Sequence, residues 1–258
     1  MSITQDASGR RSVHVEVEVS GTPDEVWQAI ATGPGISAWF VPAKFELGDG
    51  QPTALTLDFG SGIVSTSTVT AWAPPHRWSA QSNGWLPGSP PIANEWTIDA
   101  RADGTCLVRV AHSLVASSGD WDSQLEGTEA GWPAFLRTLQ LYLRHFRGQR
   151  SAVMKCMLPV AATEAQAWAT LTSALGLKGL HVGQHGAAPA GVPAFSGVVE
   201  YAHEAPFDAL LRVDQPCPGV AALGTVNCGD QTMVGLNFYL YGDSAADTVA
   251  RESARWEA

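Results

Sequence analysis

Histidines are the first side chains of this sequence to consider for chemistry, because an imidazole can bind a metal ion or exchange a proton near neutral pH. His181 and His185 are four residues apart, a spacing that brings two ligands together only on a helix. Gly183 disfavours a helix there and no third ligand is evident, so we predict no metal site. His76, beside a turn, and His112, within a predicted strand, could each be structural or serve as a pocket acid or base.

Four charged residues on predicted strands form a second group of candidates: Asp58, Glu95, Asp99 and Arg109. Any that faced inward would be a buried charge in need of a partner, and so a polar contact for a ligand. Glu95 and Arg109 could pair across the hairpin that turns at residues 103–104, but we expect these side chains to face solvent. The sequence has no Ser-His-Asp order, glycine-rich phosphate loop or zinc motif. It therefore predicts no catalytic residue and no cofactor.

Tryptophan is concentrated in the first half of the chain, which holds eight of the ten. Aromatic side chains suit an apolar pocket because they offer large rigid areas and an occasional N–H donor. Two loops, residues 83–92 around Trp85 and residues 117–127 around Trp121, could be lids or could tuck a tryptophan onto the core. The seven predicted ligand-binding residues are Trp39, Phe40, Trp78, Trp96, Trp132, Phe135 and Leu139.

An internal repeat indicates which elements must position these residues. The segments VSGTPDEVWQAI from Val19 and VAATEAQAWATL from Val160 align at a constant offset of 141 residues, so that Trp27 corresponds to Trp168. Each follows a predicted strand and precedes a series of short strands with turn residues between them. We therefore predict two copies of one domain, at residues 12–148 and 152–258.

Within each copy, the pattern predicts a strand, a short helix, an antiparallel meander and a C-terminal helix. Residues 22–25 (TPDE) combine a capping hydroxyl, a proline at the first helical position and a glutamate that completes a capping box. Residues 128–146 carry leucines and aromatics at steps of three and four, which is typical of an amphipathic helix, and Pro133 is predicted to lie in its first turn. The predicted fold class is α+β: two tandem helix-grip domains, each a curved antiparallel sheet wrapped around a long C-terminal helix.

Composition excludes several classes of partner. The chain has 258 residues and a net charge of −10, and without a Lys/Arg cluster we expect no binding to nucleic acid or to anionic membranes. No stretch approaches the roughly 20 apolar residues of a membrane span, and the polar N-terminal residues do not form a signal peptide. We therefore expect a cytoplasmic protein without a membrane span.

The first half resembles the family of activator of heat-shock protein 90 ATPase homologues, within the START-like (SRPBCC) superfamily. The resemblance is carried by residues 20–27 (SGTPDEVW), 38–42 (AWFVP), 103–105 (DGT) and 131–143 (GW followed by leucines). In the second half the AWFVP segment is missing and the glycine-rich residues 176–193 replace it, so we interpret this half as a divergent copy. Members of the superfamily bind lipids, sterols and polyketides, and some cyclise or hydrolyse them.

Three functions follow as hypotheses. The first is binding of a small hydrophobic or aromatic molecule in a cavity of the first domain, without defined catalysis. The second is an enzyme of the cyclase/aromatase or hydrolase kind that uses a pocket histidine or carboxylate. The third is a protein-interaction module, either a homodimer or a chaperone-linked one. The eukaryotic activator contacts the chaperone through a separate N-terminal domain, which we do not expect in this chain, so we do not expect chaperone contact.

Overall fold

The computed structural model describes residues 4–5, 11–60, 62–82, 90–114, 122–204, 207–228 and 231–257. The chain divides into two compact units, Met1–Arg147 and Gly148–Ala258. Each unit has its own antiparallel sheet and its own helices. The predicted α+β class with tandem helix-grip domains is confirmed.

The first domain contains one sheet of seven long strands and a two-residue strand, in the order β1-β2-β8-β7-β6-β5-β4-β3. Every neighbouring pair is antiparallel. The elements of this domain are β1 (Thr4–Gln5), β2 (Arg11–Ser20), α1 (Pro23–Ile30), α2 (Gly33–Ser37), β3 (Ala43–Gly48), β4 (Gln51–Gly60), β5 (Ile63–Ala73), β6 (Arg77–Ser82), β7 (Ile92–Ala100), β8 (Thr105–Leu114) and α3 (Asp122–His145).

The start of α1 is fixed by the capping box that the sequence predicts. The Thr22 hydroxyl accepts a hydrogen bond from the Glu25 backbone N–H, and the Glu25 carboxylate accepts one from the Thr22 backbone N–H at 2.8 Å. This backbone hydrogen bond, together with the guanidinium of Arg147 at 3.0 Å, holds the pKa of Glu25 below its usual range. The same carboxylate therefore caps α1 and bonds to a residue two positions beyond the end of α3.

Helix α3 begins earlier than the sequence predicts. It spans Asp122–His145, so Pro133 lies in its interior rather than in its first turn, and the predicted position of this proline is wrong. The preceding residues, 122–130, include Leu, Glu and Ala, which have high helix propensity and extend the helix on the N-terminal side of the proline. The C-terminal half of α3 packs against β2 and β8 and buries Leu136, Leu139 and Leu143.

The second domain repeats this plan with fewer strands, in the order β10-β11-β12-β13-β14-β9. Thr163 and Gln166 form a capping box at the start of its first helix, as Thr22 and Glu25 do in the first domain. Phe195, Phe238 and Trp256 pack in its core. The elements are β9 (Ser151–Val160), α4 (Glu164–Ala174), β10 (His185–Ala187), β11 (Ser196–Glu204), β12 (Phe207–Gln215), β13 (Gly219–Cys228), β14 (Gln231–Tyr241) and α5 (Ala245–Glu257).

Candidate functional site

A cavity of about 280 Å³ lies in the first domain between the sheet and helix α3. Its walls come from α2 and the segment after it, from strands β4 to β8, and from the middle of α3. The lining is mostly aromatic and aliphatic, with three polar side chains, Ser67, Asn94 and His112, among the described residues. This is the composition expected of a small-molecule pocket, in which a few polar groups orient a ligand against apolar walls.

Six of the seven residues predicted to bind a ligand line this cavity: Trp39, Phe40, Trp78, Trp96, Trp132 and Phe135. The seventh, Leu139, does not line it and is fully buried in the core. Leu139 is two helical turns beyond Trp132 on the same face of α3, where the helix packs closely on the sheet. A hydrophobic stripe predicts which face of a helix is turned away from solvent. It does not predict whether that face contacts packed side chains or lines a cavity.

A row of tryptophans crosses the inner face of the sheet. Trp72, Trp78 and Trp96 are register partners on β5, β6 and β7. The rings of Trp78 and Trp96 are stacked, with centroids 5.9 Å apart and planes 8° from parallel, and the Trp72 ring is tilted at 6.3 Å from Trp78. Because Cβ atoms of directly opposed residues lie on the same face, the register alone places these three rings side by side.

The opposite wall is formed by Phe40 and the aromatic residues around it. Its ring centroid is 4.6 Å from that of Phe135 and 5.5 Å from that of Trp132, both on α3. Trp39 is anchored because its Nε1–H donates a hydrogen bond to the Ala29 carbonyl at 3.0 Å. The side chains of Trp39 and Phe40 are both buried. They are structural parts of the wall.

The polar groups of the cavity are centred on a histidine and an asparagine. Asn94 on β7 and His112 on β8 are register partners, and His112 Nδ1 lies 2.5 Å from Asn94 Oδ1. Both face inward, since Trp96 and Val110, the next residues on the same side of each strand, are buried in the core. The imidazole is almost completely buried, and this burial lowers the pKa of His112 to about 4. The ring is therefore neutral near pH 7.

The charged strand residues do not contribute to the cavity. Asp58, Asp99 and Arg109 are exposed, and neither they nor Glu95 line it. Glu95 and Arg109 do not form the pair that the sequence allowed, because the register places Arg109 opposite Thr97. Arg109 instead binds Asp99 and, at 3.2 Å, Glu16, while Glu95 pairs with Arg77.

The remaining histidine candidates lie elsewhere. His76 is exposed in the turn before β6. His185 Nε2 lies 3.1 Å from an Asp214 carboxylate oxygen at the surface of the second domain, and His181 is exposed in an irregular segment. Within the described part of the chain, no group of three or more His, Cys, Asp or Glu is placed to hold a metal ion.

Among the helices described, none has the length and apolar content needed to cross a membrane.

The predicted site and the observed cavity lining differ in two ways. Trp85, Trp121 and most of the two predicted loops lie outside the described residues. Ser67, Asn94 and the aliphatic wall residues Leu55 and Leu57 were not predicted. Asn94 could have been found from the register, because a tight turn at residues 101–104 sets it directly opposite His112.

The chain is similar to several solved structures. Among solved structures, the di-domain ARO/CYC BexL from the BE-7585A biosynthetic pathway is 13% identical, with 95% of this chain and 93% of BexL covered and a TM-score of 0.47. DynU16, from the dynemicin biosynthetic locus, is 19% identical, with 95% and 97% covered and a TM-score of 0.44.

The Aha1 dimer from Colwellia psychrerythraea is 17% identical, with 53% of this chain and 98% of that chain covered and a TM-score of 0.41. No curated protein matches the sequence. The family model described as polyketide cyclase / dehydrase and lipid transport matches residues 10–140, which is more than half of the chain. The chain belongs to this polyketide cyclase/dehydrase and lipid transport family.

Proposed function

We propose that the domain formed by residues 12–148 binds a small apolar or aromatic molecule in the cavity between its sheet and α3. The observation that carries this proposal is a cavity lined by aromatic rings from the sheet, Trp78 and Trp96, and by aromatic rings from the helical side, Phe40 and Trp132. Family membership supports the same function. An empty apolar cavity costs stability, so a fold that retains one gains from filling it.

The shape of the walls favours a flat ligand. Indole and phenyl rings offer broad faces that stack on a ring system with little loss of side-chain entropy. The volume of about 280 Å³ is near the lower end of the roughly 300–1,000 Å³ range of small-molecule pockets. We therefore expect a molecule of a few fused or linked rings rather than a long lipid chain.

The test uses a fluorescent apolar probe, N-phenyl-1-naphthylamine, whose emission rises on transfer from water to an apolar site. Ala80 lines the cavity on β6, so Ala80→Leu should fill part of it and weaken probe binding at least tenfold. Ala93, on the neighbouring strand, faces the other side of the sheet. Ala93→Leu is therefore the matched control and should bind like the wild type. Equal binding by the wild type and Ala80→Leu would contradict the proposal.

Native mass spectrometry of the protein purified from its own host can then identify the molecule. A co-purifying small molecule that is present in the wild type and lost in Ala80→Leu would be the ligand of this cavity. A molecule retained by both proteins would bind elsewhere.

The position of His112 favours a second candidate function, a cyclase-type enzyme. Ring closure of a polyketide by condensation requires removal of a proton from a carbon next to a carbonyl, and a neutral imidazole in the cavity could accept it. Asn94 Oδ1 holds the other ring nitrogen at 2.5 Å, so the ring is fixed in orientation. No carboxylate lines the cavity among the described residues, which leaves His112 as the candidate base.

This second function is tested by hydrogen exchange on a bound ketone. In D₂O, the benzylic protons next to the carbonyl of 2-tetralone exchange when a base removes them and solvent returns deuterium. An enzyme should accelerate this exchange by about 10²–10⁴, and His112→Gln should abolish the acceleration while retaining probe binding. If the wild type gives no acceleration although 2-tetralone binds, the protein acts as a binder alone.

A further inference from the structure

We propose that Asn94 is a positioning residue that holds His112 with its Nε2 atom as a hydrogen-bond acceptor, so that the cavity selects neutral aromatic ligands carrying a hydroxyl or N–H donor. This rests on the proposed binding function and specifies which ligands that function accepts. Apolar walls alone would accept any flat ring system of suitable size. The His112–Asn94 pair adds a requirement for one polar group on the ligand.

The tautomer follows from the contact between the two side chains. An amide oxygen can only accept a hydrogen bond, so the 2.5 Å contact with Asn94 Oδ1 requires the hydrogen of the neutral ring to be on His112 Nδ1. Nε2 then carries a lone pair and no hydrogen. Within the described residues, no atom forms a hydrogen bond with Nε2, although the side chain lines the cavity. It is the ring nitrogen left for a ligand.

The strand pairing makes this arrangement rigid. Asn94 and His112 are directly opposed on adjacent strands β7 and β8, whose ladder runs without a register shift from Ile92–Leu114 to Ala100–Cys106. Opposed side chains on one face of a sheet lie within contact distance of each other. The sheet itself therefore keeps Oδ1 against Nδ1, and neither side chain needs a ligand to be positioned.

The surroundings exclude an anionic ligand. Of the described residues that line the cavity, none is a lysine or an arginine, so a carboxylate would lose its hydration without gaining a positive partner. Burial keeps the imidazole uncharged by lowering the pKa of His112 to about 4. A lone pair on Nε2 would also repel a carboxylate oxygen. A neutral donor such as a phenolic hydroxyl satisfies Nε2 without any of these costs.

Three probes built on the same naphthalene ring system separate these possibilities: 2-naphthol, 2-methylnaphthalene and 2-naphthoate. The hydroxyl and the methyl group are nearly isosteric, and the methyl compound is the more apolar, so hydrophobicity alone would favour 2-methylnaphthalene. We expect 2-naphthol to bind about tenfold more tightly, because the methyl compound leaves a buried acceptor unpaired. We expect 2-naphthoate to bind weakest. Isothermal titration of the full chain at pH 8 measures all three.

Two variants test the role of Asn94. Asn94→Leu keeps the size of the side chain but removes the acceptor, and should reduce the preference for 2-naphthol to about twofold or less. Asn94→Gln retains an amide oxygen without adding a charge and should preserve most of the preference. Nitrogen-15 NMR of the histidine rings gives a readout that a merely structural role would not move. It should show Nδ1 protonated in the wild type and in Asn94→Gln, but not in Asn94→Leu.

The outcomes separate the two proposals. If 2-naphthol and 2-methylnaphthalene bind equally well, the cavity binds aromatics but the donor requirement is overturned. If His112 of the wild type carries its hydrogen on Nε2, the role of Asn94 is overturned, whatever the variants do. If none of the three probes binds, the proposed binding function itself fails, and the selectivity with it.

Discussion

Trp78 and Trp96 lie directly opposite each other on β6 and β7, with their indole planes 8° from parallel and their centroids 5.9 Å apart. Each also contacts a further aromatic ring: Phe45 lies 5.9 Å from Trp78, and Trp132 on α3 lies 5.4 Å from Trp96. The pair therefore links the inner face of the sheet to the helix that covers it. The two rings are therefore part of the hydrophobic core as well as of the cavity wall. Their contribution to stability can be measured in the absence of a ligand.

The stacked pair should show a measurable coupling energy. We predict that Trp78→Leu and Trp96→Leu each destabilise the first domain, and that the double variant loses less than their sum by about 0.5–1.5 kcal/mol. The coupling comes from the ring–ring contact that either single change already removes. Urea denaturation of the four proteins, in a double-mutant cycle, measures it. Additivity within about 0.3 kcal/mol would mean that the stacking contributes nothing beyond burial.

Acid should destabilise the protein through His112. The ordinary pKa of 6.5 applies in the unfolded chain and falls to about 4 in the fold, so between these values the unfolded state binds more protons. The contribution of His112 is therefore fully present above pH 6.5 and is lost as the pH falls towards 4, by about 3 kcal/mol in total. The free energy of unfolding, measured by urea at each pH, should decrease across this window.

A variant comparison assigns that loss to His112. His112→Gln cannot be protonated and should remove most of the decrease between pH 6.5 and pH 4. His76→Gln is the matched control, because His76 is exposed in a turn, and it should follow the wild type. Parallel curves for the wild type and His112→Gln would assign the acid sensitivity to other groups. Asp103 and Asp214, whose carboxyl pKa values are lowered from 3.8 by hydrogen bonds from Thr105 and Ser196, cannot account for a loss in this window, because their contribution to stability is lost only as the pH falls below that value.

The position of Phe40 and Trp39 depends on Gly35. A Cβ atom on Gly35 would lie 1.9 Å from the Gln28 carbonyl oxygen and 2.9 Å from the Ala29 Cα, so α2 packs against the end of α1 through this glycine. We predict that Gly35→Ala displaces α2, breaks the bond from Trp39 Nε1 to Ala29 and costs about 1–3 kcal/mol. Urea denaturation and N-phenyl-1-naphthylamine titration should both detect the change.

A second glycine serves as the control for that experiment. A Cβ atom on Gly235, in the second domain, would have its nearest neighbours at 3.9 Å. Gly235→Ala should therefore leave probe binding unchanged. If Gly35→Ala binds the probe as tightly as Gly235→Ala does, the close packing of α2 on α1 does not position the cavity wall.

The sequence predicted where helices and strands lie better than it predicted which side of each strand faces the cavity. The capping boxes at Thr22 and Thr163 and the match of Trp27 with Trp168 depend on local patterns, and these patterns fix where the first helix of each domain begins. The cavity depends on which side of each strand faces inward, and a slip of one residue would exchange the two faces. Only the observed pairing of Trp78 with Trp96 settles that question.

Two differences between prediction and structure have the same kind of cause. Leu139 belongs to the hydrophobic stripe of α3, but the stripe continues past the cavity into closely packed core, where Leu139 is fully buried. Pro133 looked like a first-turn proline because the residues before it were read as a loop, yet the helix starts at Asp122. In both cases, tertiary packing decides what the local pattern leaves open.

Larger side chains at position 131, now Gly131, should raise the stability of the domain and weaken ligand binding. It lies within α3, lines the cavity, and a Cβ atom added there would meet no other atom within 4 Å. A glycine inside a helix costs about 0.5–1 kcal/mol relative to alanine, and at this position a methyl group would fit. Gly131→Ala should raise the free energy of unfolding by that amount.

A larger side chain at the same position should exclude the ligand. Gly131→Leu places an isobutyl group in the cavity, and we predict at least tenfold weaker binding of N-phenyl-1-naphthylamine without loss of stability, because the added side chain fills open space and contacts apolar walls. The result to look for is a variant that is at least as stable as the wild type in urea but no longer binds. If Gly131→Leu is destabilised instead, the space beside α3 is smaller than the cavity requires. If it is stable and still binds the probe, the ligand lies elsewhere in the domain.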